Sequence, residues 1–228
     1  MNLLILFWLV YFFVHSALAS FRTKRWFAQH FPESTPFYRA GFNFVSLVLL
    51  LPILWQMQRH PGPLWWAWHG WAAWLGNGLA LAAVGGFIAS LRHYDGQAFL
   101  GLAQLRAAQE MSIDGSEQFR ISPFHRVVRH PWYSFSLVII WTRDMNEAML
   151  ISAVLLTLYF VIGSRLEETK LIAYHGDVYR RYARLVPGLI PRPWKLLSET
   201  EAAALIATAK ERKEDACRFV AGNTESGV

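Results

Sequence analysis

The sequence predicts an all-α, polytopic integral membrane protein of about five transmembrane helices, the last two forming a C-terminal helical hairpin. Three observations predict it. Of the 228 residues, 54% are hydrophobic and only 17% charged, a balance too apolar for an ordinary soluble domain. The apolar residues fall into long runs. The cations between those runs alternate in density, as they do when one side of a membrane retains positive charge. The 11 tryptophans fit the same picture, since an indole joins an apolar body to a polar N–H and favours an interface.

The first run, residues 2–20, has no basic segment before it, so it reads as a retained helix and not a cleaved leader. The second, 41–57, contains Pro52, which would kink or locally loosen its turn. The third, 64–90, gathers five tryptophans between Trp65 and Trp74 at its front, followed by small residues from Gly76 to Gly86 that allow a neighbouring helix to approach closely. The fourth, 132–142, is short against the roughly 20 residues a crossing needs. It could pair with the fifth, 147–164, through the tight turn "RDMN" at 143–146.

Charge placement orients the set. Segment 21–40 carries Arg22, Lys24, Arg25 and Arg39, whereas the next connection has only Arg59. The stretch 91–131 carries Arg92, Arg106, Arg120, Arg126 and Arg129, whereas the last turn has only Arg143. Five spans with the N-terminus outside and the C-terminus in the cytoplasm satisfy this alternation, in a multi-pass protein of the cell inner membrane. Both large polar regions, 91–131 and everything after 164, then share one side. The net charge of +6 follows from the same bias and calls for no nucleic acid. Cys217 is the single cysteine, which excludes an internal disulfide and a Cys-rich zinc site.

Four polar stretches carry the informative spacing. "RHPWY" places Arg129, His130, Pro131, Trp132 and Tyr133 before the fourth run, where Pro131 can open a helix without losing a needed N–H. The first turn of such a helix favours an anion. "SRLEETK", 164–170, offers Arg165, Glu167, Glu168 and Lys170. On a helix the two acids point about a third of a turn apart and need not serve one partner. "YHGDVYRRYARLVPGLIPRP", 174–193, alternates aromatics and cations and suits an amphipathic segment lying on an anionic leaflet. "EQFRISPF", 117–124, runs into the basic cluster. No phosphate loop, paired-histidine metal motif or Ser–His–Asp set emerges, and no metal is expected. His15, His69, His93 and His175 read as structural or interfacial. After Leu197, Ser198 can cap an amphipathic helix that gives way to a tail, to which no chemistry is assigned.

The order "RHPWY", a hairpin, "EE" at 167–168, then "HGDVYRRY" and "VPGLIPRP" resembles the isoprenylcysteine carboxyl methyltransferase-like superfamily of membrane enzymes. Within it, "FFVHSALAS", "AFLGLAQLR" and "GSRLEETKLIAYHGDVYRRYARLVPGLIP" look most like the bacterial thiol S-methyltransferase branch. The resemblance implies S-adenosylmethionine as cofactor, cytoplasmic cofactor-binding elements, and methyl transfer to the sulfur of a small or lipophilic thiol entering from membrane or cytoplasm. A prenylcysteine or isoprenoid carboxylate and a lipid amine remain alternative acceptors. A non-enzymatic accessory protein like NnrU, which has a similar hydrophobic layout, and a metal- or haem-associated membrane protein are the rival classes.

Carried over by position, the resemblance implies cofactor contacts at Glu117, Gln118, Phe119, Arg120, His125, Arg129, His130, Pro131, Trp132, Tyr133 and Glu167. Because a thiol acceptor needs deprotonation and a nearby cation favours the thiolate, Arg165 or Arg129 reads as organiser of the acceptor and Glu168 as a proton acceptor. The division implied is 1–90 as transmembrane helices, 91–193 as the methyltransferase core, and 194–228 as amphipathic helix and tail. His125 stands where the family has tyrosine, His175 where it has phenylalanine, and Gly163 where it places a substrate-facing arginine.

Overall fold

The computed structural model describes residues 1–93, 96, 101–102, 119–192 and 194–225, the last helix only by its backbone beyond Arg212. Among these residues every regular element is helical except one two-stranded ribbon. Packing divides the chain into two compact units: Met1–Gly115 with Phe135–Phe160, and Ser116–Ser134 with Val161–Val228.

In the first unit, α1 (Asn2–Ala19) is separated from α2 (Phe21–His30) by one extended residue, Ser20. The Ser20 hydroxyl accepts the Thr23 N–H at 3.2 Å, satisfying one of the donors that a helix start leaves open. A 3₁₀ turn, Pro32–Phe37, leads into α3 (Tyr38–Arg59), which continues as helix through Pro52. The Tyr38 hydroxyl donates to the Leu18 carbonyl at 2.7 Å and ties the start of α3 to the end of α1.

The strand β1 (Leu64–Trp66) precedes α4 (Gly70–Leu91), so the front of the third predicted span is not helical. Leu64 and Trp66 instead pair antiparallel with β2 (Met145–Asn146), with an irregularity between them. Gly62, at φ +71°, packs against Glu147 where a Cβ would lie 2.5 Å from the carboxylate. Beyond β2, α6 (Glu147–His175) contributes Ala148 to a core with Leu4, Trp8 and Ile53, while the Trp8 indole N–H donates to Ser152 Oγ at 2.9 Å. Between the ribbon's two halves in sequence lies α5 (Pro131–Trp141).

The small residues of α4 meet the expected close neighbours. A Cβ on Gly76 would come 3.3 Å from the Thr142 carbonyl, and one on Gly86 would come 2.9 Å from the Phe135 ring. Across the bend after α5, the Trp141 indole N–H donates to Thr157 Oγ1 at 3.0 Å.

Among the described residues, four helical stretches are long and apolar enough to cross a membrane: Asn2–Ala19, Pro32–Arg59, Gly70–Leu91 and Glu147–His175. The chain is a membrane protein. Large apolar side chains such as Phe13, Phe44 and Leu81 face outward, which would be costly in water and is ordinary in lipid. The expected count of five is corrected by α5. Its 11 residues rise only about 16 Å. That is roughly half of the ~30 Å hydrocarbon layer.

The second unit closes around α7 (Asp177–Leu185) and α8 (Glu199–Glu225). Phe119, Val178, Tyr179, Tyr182, Val186, Leu197, Ala202 and Leu205 form its core. Gly176, at φ +58°, ends α6 and lets the chain turn directly into α7. The predicted Ser198 cap is present: its hydroxyl accepts the Glu201 N–H at 3.2 Å, and the Glu201 carboxylate accepts the Ser198 backbone N–H at 3.0 Å. The Ser198 hydroxyl also donates to the Glu201 carboxylate at 2.7 Å, and this bond, ahead of the one from the Ser198 N–H, holds the Glu201 carboxyl below its ordinary pKa.

Candidate active site

Helix α5 starts at Pro131 because proline fits the first helical position, where its missing N–H is no loss. The residue before it, His130, is thereby held at the mouth of the helix, its carbonyl accepting the Ser134 N–H at 3.1 Å. Backbone bonds fix this mouth from outside. The Arg129 N–H donates to the Pro187 carbonyl at 2.8 Å and the His130 N–H to the Gly188 carbonyl at 3.1 Å. The "VPGLIP" stretch is therefore a strap over "RHPWY". Upstream, the Tyr182 hydroxyl donates to the His125 carbonyl at 2.7 Å, and the Leu197 N–H to the Arg126 carbonyl at 3.0 Å.

Four charged side chains converge here. Arg129 donates to Glu168 Oε1 from Nε at 2.8 Å, and its Nη2 lies 2.7 Å from the same oxygen. Arg129 Nη1 reaches back to the carbonyls of Ala183, at 2.8 Å, and Val186. His130 Nε2 lies 3.0 Å from Glu168 Oε1, and its Nδ1 lies 3.5 Å from Glu167 Oε2. The histidine thus bridges both acids, a sharing that their spacing on a helix left open. The physical reason is that imidazole carries a nitrogen on each side and spans the angular gap between successive helical residues.

Burial ranks the members. The His130 side chain is 5% exposed and Arg129 13%, against 20% for Glu168 and 50% for Glu167. Burial alone would lower the His130 pKa, but the hydrogen bonds and charges of Glu167 and Glu168 outweigh it and raise the value above the ordinary histidine range. Tyr179, 2% exposed, completes the surroundings. Burial first, then the charges of Glu168 and Glu167, push its hydroxyl far above the usual tyrosine range.

The remaining expected residues divide clearly. Tyr133 stacks on His130 with centroids 5.6 Å apart and planes 12° apart. A Cβ on Gly163 would meet nothing nearer than the Tyr133 hydroxyl at 3.9 Å. Phe119 is buried against His175, Tyr179 and Tyr182 and belongs to the core. The His125 ring hydrogen-bonds with Ser122 Oγ at 2.7 Å. Arg120 and Arg165 are exposed, and Trp132 is half-buried. Glu117 and Gln118 lie outside the described residues. No group of three or more potential metal ligands occurs among the described residues.

Sequence reasoning missed Tyr179 as a neighbour of the charged cluster, together with the Ala183 and Val186 carbonyls that hold Arg129. The signal was present in α7. Val178, Tyr179 and Tyr182 fall at helical spacing on its buried side, while Arg180, Arg181 and Arg184 face out.

Comparison with known proteins now gives the charged cluster a context. No family model matches the chain, and no solved structure matches it. Curated relatives do. A methanethiol S-methyltransferase 2 of Bradyrhizobium diazoefficiens is 32% identical over 179 residues, covering 78% of this chain and 68% of the relative. Methanethiol S-methyltransferases of Pseudomonas deceptionensis (32% over 189 residues) and Mycobacterium tuberculosis (29% over 193) cover 78% of this chain and 67% and 73% of themselves. Apolar spans and these relatives together define a membrane methyltransferase. More narrowly, the chain belongs to the methanethiol S-methyltransferase family.

Proposed function

We propose that this enzyme transfers the methyl group of S-adenosylmethionine to the sulfur of a small or lipophilic thiol, giving a thioether and S-adenosylhomocysteine. Family membership supports the reaction class, and one structural observation supports the location. The "RHPWY" and "EE" elements, 34 to 39 residues apart in sequence, join through His130 between Glu167 and Glu168.

The donor set fits the cofactor. Glu167, half-exposed and steadied by a cationic His130, offers a carboxylate to hydroxyl or amino groups, and Tyr133 offers a flat face and a hydroxyl beside open space at Gly163. When bound, S-adenosylmethionine supplies a methyl group made electrophilic by its positively charged sulfur. The chain's residues do the rest. Arg129, His130, Pro131, Trp132, Tyr133 and Glu167 bind and orient, with Glu117 to Arg120 and His125 as further contacts on the strength of the resemblance. Alignment of the reacting atoms and exclusion of water supply the rate.

In this reading Glu168 first tethers Arg129 and His130, and it can accept a proton only by loosening those bonds. Exposed Arg165, three residues before it, favours the thiolate of the acceptor by charge.

The placement proposed is multi-pass in an inner membrane, with the C-terminal part on the cytoplasmic side, where cations gather. Purified protein should be assayed with labelled S-adenosylmethionine against thiols, prenylcysteines, amines and phenols. Thiols are expected to be methylated preferentially. Methylated carboxylates or amines with inert thiols would overturn the acceptor while leaving the methyltransferase.

A further inference from the structure

The feature that methyl transfer leaves unused is α2, the ten-residue helix that follows α1 after Ser20 alone. A recess of about 240 Å³ opens on it, lined by Phe21, Arg22, Arg25, Trp26 and Gln29. Arg22, Arg25, Trp26 and Gln29 stand at i, i+3, i+4 and i+7 and so share one helical face. All four are exposed. A third cation, Lys24, lies with Nζ 5.7 Å from the Phe21 ring centroid. The opposite side is committed to the protein, where Phe27 meets Tyr38 with centroids 4.9 Å apart.

We propose that this recess binds the headgroup of an anionic phospholipid. Two guanidiniums one turn apart are placed to share a phosphodiester, and Arg forms forked hydrogen bonds to phosphate oxygens. Charge complementarity is one-sided, because no acidic residue precedes Glu33 in the chain. Phe21 and Trp26 flank the cations with apolar area that suits the glycerol and upper acyl carbons of a lipid and has nothing to offer a free anion. The membrane-length helix α1 ends at Ala19, immediately before the site, so α2 begins where a headgroup layer begins.

The test titrates the purified full chain, in neutral detergent, with phosphatidylglycerol, phosphatidylcholine and inorganic phosphate, reading bound lipid by native mass spectrometry and the unfolding temperature. Phosphatidylglycerol is expected to bind and stabilise, and phosphatidylcholine and phosphate to do neither. R22Q/R25Q should weaken phosphatidylglycerol by roughly fivefold per arginine removed. R22K/R25K keeps the charge without the fork and should bind between wild type and the glutamine pair, which separates lost charge from any folding fault in the glutamine pair. Equal stabilisation by phosphatidylcholine or by phosphate alone would overturn the proposal, as would a glutamine pair that folds and binds phosphatidylglycerol like wild type. Methyl transfer by wild type in neutral detergent is read in parallel, so failure of this site is distinct from failure of the enzymatic reading.

Discussion

Two histidines, one in each unit, sit in contrasting company. His15, in α1, hydrogen-bonds with Ser46 Oγ at 3.1 Å, stacks on Tyr11 with centroids 5.5 Å apart, and touches the rings of Phe42 and Tyr159. The next residue, Ser16, hydrogen-bonds with the Tyr159 hydroxyl at 3.1 Å. His130 is flanked by two carboxylates and stacked on Tyr133. A hydroxyl gives an imidazole a hydrogen bond without a countercharge. A carboxylate gives both. The first arrangement therefore suits neutral side chains holding helices together, and the second suits charges held for a ligand. The residue type is the same, and its partners decide what it can do.

Breaking the charged arrangement at its shared acceptor should have the largest effect. Glu168→Ala leaves Arg129 and His130 without the oxygen they share. Because Glu168 keeps some solvent exposure, a loss of about 2–3 kcal/mol is expected, below that of a fully buried pair. Methyl transfer should fall with it. Calorimetry in detergent and an activity assay check this, and an unaltered unfolding temperature would refute the tether.

Glu167→Gln should separate binding from stability. At 50% exposure the side chain contributes little to folding, so the unfolding temperature should barely move. If Glu167 contacts the cofactor as proposed, loss of one charge-assisted hydrogen bond should weaken binding roughly tenfold or more. Calorimetric titration with S-adenosylhomocysteine reads this directly. A large fall in stability with unchanged affinity would reverse the roles assigned to the two acids.

The pH dependence sharpens the contrast further. The folded His130 pKa is raised, so its protonated form contributes stability that is fully present below the unfolded value of about 6.5. That contribution is lost as pH rises through the folded value. The difference in stability between wild type and His130→Gln should therefore shrink as pH rises from about 6 through the alkaline range. A difference that grows with pH would show that burial, and not the carboxylates, governs this histidine.

Much of this was legible in the sequence, for identifiable reasons. Long apolar runs fix helices because the bilayer leaves few alternatives, so α1, α3, α4 and the first part of α6 were readable. Ser198 announced a cap by its place before an amphipathic run, although its reciprocal bond with Glu201 was not read. The ribbon was hidden because "LWW" and "MN" lie about 80 residues apart, and two or three paired residues leave no alternating pattern. The site residues His130, Glu167 and Glu168 were named through the resemblance, but their sharing of one imidazole was not. That depends on where α6 passes α5's first turn, which no local spacing encodes. Arg129 was likewise given to the cofactor without sight of its bonds to α7 carbonyls, which are backbone atoms and carry no sequence signature.

The smallest expected effect tests the other half of the comparison. If His15 and Ser46 only join α1 to α3, the coupling between His15→Phe and Ser46→Ala should be modest. Hydrogen bonds between membrane helices average about 0.6 kcal/mol in double-mutant cycles, because each group also finds partners in the unfolded, membrane-inserted state. Phenylalanine keeps the flat ring against Tyr11 and Phe42, so the aromatic packing survives while the hydrogen bond goes. Unfolding midpoints of the two single variants and the double variant, measured in one detergent, give the coupling, and methyl transfer should stay close to wild type throughout. A folded His15→Phe protein without activity would end the contrast, since the histidine among neutral partners would then serve the reaction as well.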